Sequence, residues 1–538
     1  MTLPRPRSGG PAAALLLALA ACAPPPPAPV PAPEPAKRVR IVHTNDFHGR
    51  LLPQRPGWAG GRAVGGSAVL AAHFDSAAAR FDGPTFVLSA GDDMQGTAIS
   101  NLSWGRATIA AHNAAGYDAA APGNHEFDWG LDTLRARIGE SRFPWLAANV
   151  YTAGTQRQPE WLRPWTMLER GGVRLAVVGA ALPYTPQMVM AGRVAGLDFG
   201  PVGPAVDRSV REARAAGADF VVVTMHVGAR CTGPAPGSPP AEESTGCEGE
   251  LLEAARQLTE PVDLVLGGHS HHRVLLVAGG TPVAEAMYFS LAYSLTDLER
   301  RGGRTVATRR EVRTPYADEV TPDTAVARVV AEWEARVRPI SEQAVAAFAA
   351  PLPCNPRSLE CDDAEYAVGN LLADAYRARS GAQVSLINSG SVRRAMPAGP
   401  VTYGMLYELQ PFQNEVVTVA LSGAQLRRAL ENAVKDQGLL DAHVSGMTVT
   451  YSPTAAASSR VREVRLADGR TLRDTDTVTV ATTEFVATGG DNYTVFTEGR
   501  MTRTGMVDLD ALVEYLKAQP QPVQPPRTGR WRTAGNRE

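Results

Sequence analysis

Five short segments of this chain gather the residue types that bind divalent cations and move protons. They are His43-Thr44-Asn45-Asp46-Phe47-His48, Gly91-Asp92-Asp93, Gly123-Asn124-His125-Glu126-Phe127-Asp128, Met225-His226 and Gly268-His269-Ser270-His271. Of the 10 histidines, His48, His125, His226, His269 and His271 are candidate site residues in these segments. Imidazole and carboxylate together suit borderline divalent metals such as Zn, Mn, Co or Fe. A carboxylate can bridge two such ions about 3.5–4 Å apart, and water bound to them is acidified toward a pKa of about 7. The chemistry such a set supports is hydrolysis by a metal-bound hydroxide. A lone histidine is usually a core or solvated residue, but five ordered segments are hard to obtain by chance.

The elements that must position these residues are visible as periodic runs. Four apolar, β-branched runs, at 39–43, 85–88, 220–224 and 262–266, each lead within a few residues into a His or Asp. In α/β sheets ligands bind outside the carboxyl ends of the strands, so these four ends are expected to converge on one crevice. A fifth run at 175–179 and Ala-rich helical stretches at 67–80 and 204–216 complete an alternating α/β pattern. A glycine-free stretch at 322–350 reads as one long connecting helix. A second block follows, with a helix at 363–379 and strands at 384–387, 415–421, 446–451 and 476–483. Residues 519–538, rich in Pro, Gln and Arg, read as a loose tail. No internal repeat is visible, and 538 residues exceed one ordinary domain.

The words and their order resemble the calcineurin-like metallophosphoesterases. Within them they resemble the 5'-nucleotidase family, of the periplasmic UDP-sugar hydrolase and ecto-5'-nucleotidase type, over roughly 38–500. The resemblance implies an α/β architecture. A metallophosphoesterase β-sandwich flanked by helices would occupy 37–321, the connecting helix 322–350, and an α+β nucleotide-binding domain 351–518. Carried over by motif, Asp46 and His48 hold a first metal, Asp92 bridges, and Asn124, His226 and His269 hold a second. His271 stands where relatives offer Gln or Asn to the first metal, which is a departure from the pattern. His43, Asp93 and His272 match no ligand position and read as supporting or surface groups. His125 and Asp128 resemble the catalytic dyad, in which Asp128 orients the imidazole that stabilises the transition state or protonates the leaving group.

The second block carries three further family words. In Asn388-Ser389-Gly390-Ser391-Val392-Arg393, the resemblance has Asn388 and Arg393 facing substrate; arginine can grip phosphate with two parallel hydrogen bonds. Arg394 reads as a solvated neighbour. Gln410-Pro411-Phe412 and Glu484-Phe485, with Gly489-Gly490-Asp491, supply two aromatics that sandwich a nucleobase in the family and a carboxylate for the ribose, with Tyr493 extending the pocket. Asn124 also borders the substrate, and Asn370 is read as structural. Arg357, between Cys354 and Cys361, resembles an arginine in a small disulfide loop near the phosphate site of ecto-5'-nucleotidase. The implied activity is removal of phosphate from nucleoside 5'-monophosphates, extending to UDP-sugars or other nucleotides. The alternatives are a 2',3'-cyclic-nucleotide phosphodiesterase, a sulfur-oxidation hydrolase of the same fold and a non-enzymatic binding lipoprotein.

The N-terminus reads as targeting sequence. Arg5 and Arg7 precede the apolar run 12–21, too short to span a membrane. Leu19-Ala20-Ala21-Cys22 resembles a lipobox, which implies a signal peptide at 1–22, lipidation of Cys22 and a membrane-anchored, periplasmic or cell-surface protein. Ala23 after Cys22 favours the outer membrane in a Gram-negative cell. Residues 23–36 form a Pro/Ala tether. Four further cysteines suggest disulfides after export, the simplest connectivity being Cys231 with Cys247 and Cys354 with Cys361. A net charge of -2 gives no general attraction to nucleic-acid polymers.

Overall fold

The structure, a computed structural model, describes Met1 and residues 36–354 and 364–534. Cys22, Arg357, Cys361 and the rest of the signal and tether segments lie outside the described residues. No helix among the described residues is long and apolar enough to cross a membrane.

The first lobe is a sandwich of two sheets. One has five strands in the order Arg304–Arg313, Tyr293–Arg301, Lys37–Thr44, Thr85–Ser89 and Ala119–Ala120. The other has six, in the order Arg273–Ala278, Thr281–Ala286, Leu264–Gly267, Phe220–Met225, Val173–Ala180 and Trp165–Arg170. The central strands run parallel, and antiparallel strands close both edges of the six-stranded sheet and one edge of the five-stranded sheet, whose other edge, Ala119–Ala120, is parallel. Side chains alternate across a strand, and here both faces are covered. Val39, Ile41, Phe86, Leu88, Leu175, Val177, Val222 and Leu264 meet between the sheets. Val42 and Val87 face outward against Leu70, Phe74 and Ile109 of one helical layer. Val178, Val221 and Val223 face Val206 and Val210 of the opposite layer, from helix Val202–Ala215. That double burial is why the runs read as continuous apolar stretches.

Helix Thr324–Ser341 connects the lobes; the Asp323 side chain caps it by accepting the Val326 amide at 2.7 Å. It packs Val326 and Val330 into the first lobe's core. The expected helix over 322–350 is corrected: it stops at Ser341, just past Pro339. Ala344–Phe348 is a strand paired with Gly399–Thr402. Pro339 lacks an amide donor and destabilises a continuing helix, and cross-strand pairing then outweighs alanine's helix propensity.

The second lobe is built on a five-stranded sheet, in the order Ala442–Ser445, Val384–Asn388, Thr477–Thr483, Glu415–Ser422 and Arg500–Val507. Helices Ala367–Ser380 and Gly423–Ala433 pack into different core clusters around it. The expected loose tail is also corrected over its described part. Trp531–Thr533 is a strand parallel to Met447–Tyr451, and Val523 and Trp531 are buried. The Glu365 carboxylate accepts the amides of Gly529 and Arg530.

Candidate metal centre and substrate cleft

The chain turns sharply after three sandwich strands, those ending at Thr44, Ser89 and Gly267. Asp46, His48, Asp92, His269 and His271 all sit at positive φ, between 49° and 79°. Such backbone is costly for a residue with a side chain and persists only where the surroundings enforce it. Here it turns the donor atoms of successive loops toward one another. Asp46, His48 and His271 form one group, and Asp92, His226 and His269 another; the donor atoms of each lie within 4.8 Å of one another. Gly123 must be glycine for a different reason, close approach, since a Cβ there would stand 2.1 Å from Asp92 Oδ1.

The imidazoles are oriented from behind. His48 Nδ1 lies 2.7 Å from the Gln95 carbonyl, and His226 Nδ1 lies 2.8 Å from the Ala90 carbonyl. Each Nδ1 therefore donates outward and leaves the Nε2 lone pair facing in, the arrangement a metal-ligating histidine needs. Asp92 Oδ2 lies 3.0 Å from His226 Nε2 and 3.8 Å from His48 Nε2, so one oxygen stands between the two groups. Asn124 Oδ1 is buried without a hydrogen-bond partner, and Asp46 Oδ1 and His226 Nε2 face only other members of the two groups, His271 and Asp92. Orphaned atoms of this kind are rare unless an ion or water completes them, and this donor set fits a pair of divalent cations. Burial, then the neighbouring His226, pushes His269 down to about 3, so its imidazole is neutral. Burial acts the same way on His226, but Asp92 outweighs it and lifts this imidazole to about 10. With no cation bound, Asp92 favours a proton on His226 Nε2, so proton and cation compete for that nitrogen's lone pair.

Three buried residues the sequence did not single out hold this arrangement. Glu126 accepts the amides of Asp92, Asp93, Met94 and Gly123 at 2.7–3.2 Å. Asn45 donates to Asp46 Oδ2 and the Met287 carbonyl and accepts the Ala286 amide. Glu285 accepts Ser270 Oγ at 2.7 Å and the Ala229 amide at 3.2 Å. Glu126 lies inside a quoted motif, but nothing in that motif shows which amides it binds. His43 and Asp93 are buried rather than surface groups. His43 pairs with Ser294 Oγ, and burial pushes it down to about 3. Asp93 accepts Ser89 Oγ and pairs with His112.

His125 stands on a short turn whose amide donates to Asp92 Oδ1 at 2.9 Å. Its Nδ1 lies 2.7 Å from Asp128 Oδ2, so the two side chains of the expected dyad stand in contact. From the second lobe, Asn388, Arg393, Phe412, Phe485 and Asp491 line a cavity together with Asn124, His125 and Asp128. It adjoins a cleft of about 650 Å³ lined by Asp92, His269, His271 and Arg393. Asn388 Nδ2 donates to Asp491 Oδ2 at 2.6 Å, and Ser391 Oγ donates to Asn388 Oδ1. Burial, then Asp441, lifts Asp491 to about 6. The two phenylalanines share the cavity, but Phe412 lies 5.7 Å from the His125 ring, tilted by 34°. Gly490 backs the Phe485 ring so closely that a Cβ would stand 2.5 Å from it. Tyr493 is fully buried in the core and does not extend the pocket. The Cys231–Cys247 disulfide is formed, and Arg230 and Glu248 beside it reach the cleft wall. Cys354 is disulfide-bonded.

Residues 39–273 match the calcineurin-like phosphoesterase domain, and residues 344–498 match the 5'-nucleotidase C-terminal domain. The chain belongs to the 5'-nucleotidase family of calcineurin-like metallophosphoesterases. The crystal structure of a 5'-nucleotidase precursor from Thermus thermophilus superposes with a TM-score of 0.79 at 26% identity, covering 93% of this chain and 100% of that one. The 5'-nucleotidase of Vibrio cholerae is 26% identical over 522 residues, 89% of this chain and 90% of its own. Endonuclease YhcR of Bacillus subtilis is 25% identical over 520 residues, but the match spans only 41% of that longer protein. The α/β fold with a metallophosphoesterase lobe followed by a 5'-nucleotidase lobe is thus that of the family, whose members are phosphoric ester hydrolases. In this member the cleft lies where the two lobes meet.

Proposed function

We propose that this protein is a two-metal hydrolase that removes phosphate from nucleoside 5'-monophosphates. The observation that carries the reading is the position of Asp92 Oδ2 between two histidine-carboxylate groups, in a cleft whose far wall carries Arg393. Asp46, His48 and His271 would hold one divalent cation, His226, His269 and Asn124 the other, and Asp92 both. When bound, such a pair acidifies water and neutralises charge on the phosphoryl oxygens. The chain supplies the rest. Arg393 grips the phosphate, and His125, held by Asp128, delivers a proton to the departing ribose oxygen. Asp491, steadied by Asn388, accepts the ribose hydroxyls. Phe412 and Phe485 offer the base two apolar faces. The same reading takes the protein as exported and anchored through a lipid on Cys22, with Arg357 as a further phosphate contact.

The test uses the protein stripped of metal and reloaded with Mn, Zn or Co. AMP, UDP-glucose, 2',3'-cyclic AMP, single-stranded DNA and a non-nucleotide phosphomonoester are each offered. AMP is expected to be cleaved fastest, and only with metal. Equal rates on the non-nucleotide ester would sink the base clamp. A preference for the cyclic nucleotide would move the protein to the phosphodiesterases. Because the Bacillus relative is named an endonuclease, cleavage of DNA would overturn the exclusion of polymers. Incorporation of labelled fatty acid, lost in Cys22→Ala, tests the anchor.

A further inference from the structure

One ion cluster joins the two lobes beside the metal loops, and no role above accounts for it. Arg50 closes the segment that carries Asp46 and His48. Its guanidinium lies over the Phe289 ring, 4.4 Å from the centroid. Phe289 in turn meets the His48 ring at 5.4 Å and the His271 ring at 5.8 Å. Arg50 Nη1 reaches across to Glu408 Oε2 at 3.6 Å. Glu408 belongs to helix Tyr403–Leu409 of the second lobe and also binds Arg394. Arg394 is therefore not the solvated neighbour its sequence position suggested. One carboxylate serves two guanidiniums, one from each lobe. The side chains of Arg50 and Glu408 are only 15% and 19% exposed, and Arg50 Nε has no hydrogen-bond partner.

This cluster stands at the base of the substrate arm. The Arg393 amide donates to the Leu409 carbonyl at 3.0 Å, so the end of the helix sets where Arg393 begins. Phe412 follows the same helix by three residues. A shift of this helix against the sandwich would carry both groups away from the metal loops. Misplacement of a reacting group by about 1 Å can cost on the order of 100-fold in rate.

We propose that Arg50 and Glu408 are positioning residues, which register helix Tyr403–Leu409, and with it Arg393 and Phe412, against the metal loops. The role assigned to Arg393 rests on the hydrolase reading above; the registration of the helix does not. Breaking a shielded ion pair from one side leaves a charge uncompensated. Loss of Glu408 strands two guanidiniums, whereas loss of Arg50 leaves the pair Glu408–Arg394 intact, so the two variants differ in severity.

The test compares Arg50→Gln, Glu408→Gln, the double variant and Arg50→Lys in the metal-loaded full chain. It reads kcat and KM on AMP and on the non-nucleotide ester, together with metal content and amide exchange over residues 403–412. Arg50→Gln is expected to lower kcat/KM about tenfold on both esters, and Glu408→Gln to lower it further. The double variant should be no worse than Glu408→Gln, Arg50→Lys should recover part of the loss, and metal content should not change. Both Gln variants should speed exchange over 403–412. Wild-type kcat/KM in either single variant, additive losses, or a loss that follows metal content would overturn the proposal. So would unchanged exchange, which can be read even if the wild-type protein hydrolyses neither ester, a result that would remove the hydrolase reading instead.

Discussion

The metal loops and the substrate arm face each other across one cleft but are built by different means. On the sandwich side, Asp46, Asp92, Asn124 and His226 are at most 1% exposed, and buried acceptors behind them fix the loop amides. The left-handed backbone of Asp46 and Asp92 is held in place by the packed sheets. On the other side, Arg393, Phe412 and Phe485 are half-buried, and Phe412 rests on His125. The difference separates two tasks. Ligands for a metal pair must be preorganised before anything binds, because reorganisation during reaction raises the barrier. Groups proposed to grip a phosphate and a base can settle as substrate arrives.

The sharpest way to break the comparison is Asp92→Asn, which removes the charge shared by both donor groups. The expected loss in kcat is about 1,000-fold or more, following a metal contribution of several kcal/mol. Steady-state rates on AMP and on the non-nucleotide ester should fall together. Glu126→Gln tests whether the loops depend on their brace. A neutral amide cannot accept four N–H groups as a carboxylate does, and metal affinity should weaken about 10–100-fold, read by competition with a chelator. On the opposite wall, Phe485→Ala should raise KM for AMP about tenfold, a stacked base contributing roughly 1–3 kcal/mol. The non-nucleotide ester should not notice the change.

The smallest effect is a pH dependence. Asp491 has a folded pKa of about 6, lifted first by burial and then by Asp441. A raised carboxyl pKa means that its protonated form favours the fold. That contribution is fully present below the unfolded value and is lost as pH rises through about 6. Binding runs the other way, because the ionised carboxylate is the stronger acceptor. The KM ratio of AMP to the non-nucleotide ester should rise about fivefold as pH falls from 7 to 5. A flat ratio in the wild-type protein, or an unchanged slope in Asp491→Asn, would remove Asp491 from the ribose site.

How far the sequence could be read follows from the same contrast. Asp46, Asp92, His226 and His269 were legible because each ends or follows an apolar strand, and strand periodicity is local information. Glu126 was visible as a letter but not as a brace, since two of the amides it accepts lie 33 and 34 residues away. The end of the connecting helix was missed because Ala344–Phe348 finds its partner at Gly399–Thr402. Phe412 was recognised by its motif, yet only the folded chain places it on His125. Local pattern reveals what a strand delivers and is silent on what distant backbone holds in place.

The last segment of the chain has a consequence for how the molecule is made. Trp531–Thr533 covers one side of strand Met447–Tyr451, and Val523 bridges to Phe348 immediately beyond the connecting helix. Both contacts form only once residues 523–533 have left the ribosome or crossed a membrane. Until then that strand presents an open edge, the kind of surface on which chains aggregate. The first lobe can mature while synthesis continues, but the second must wait for residues 523–533, so a chain stopped at 518 would carry all the proposed site residues and still be a candidate for degradation.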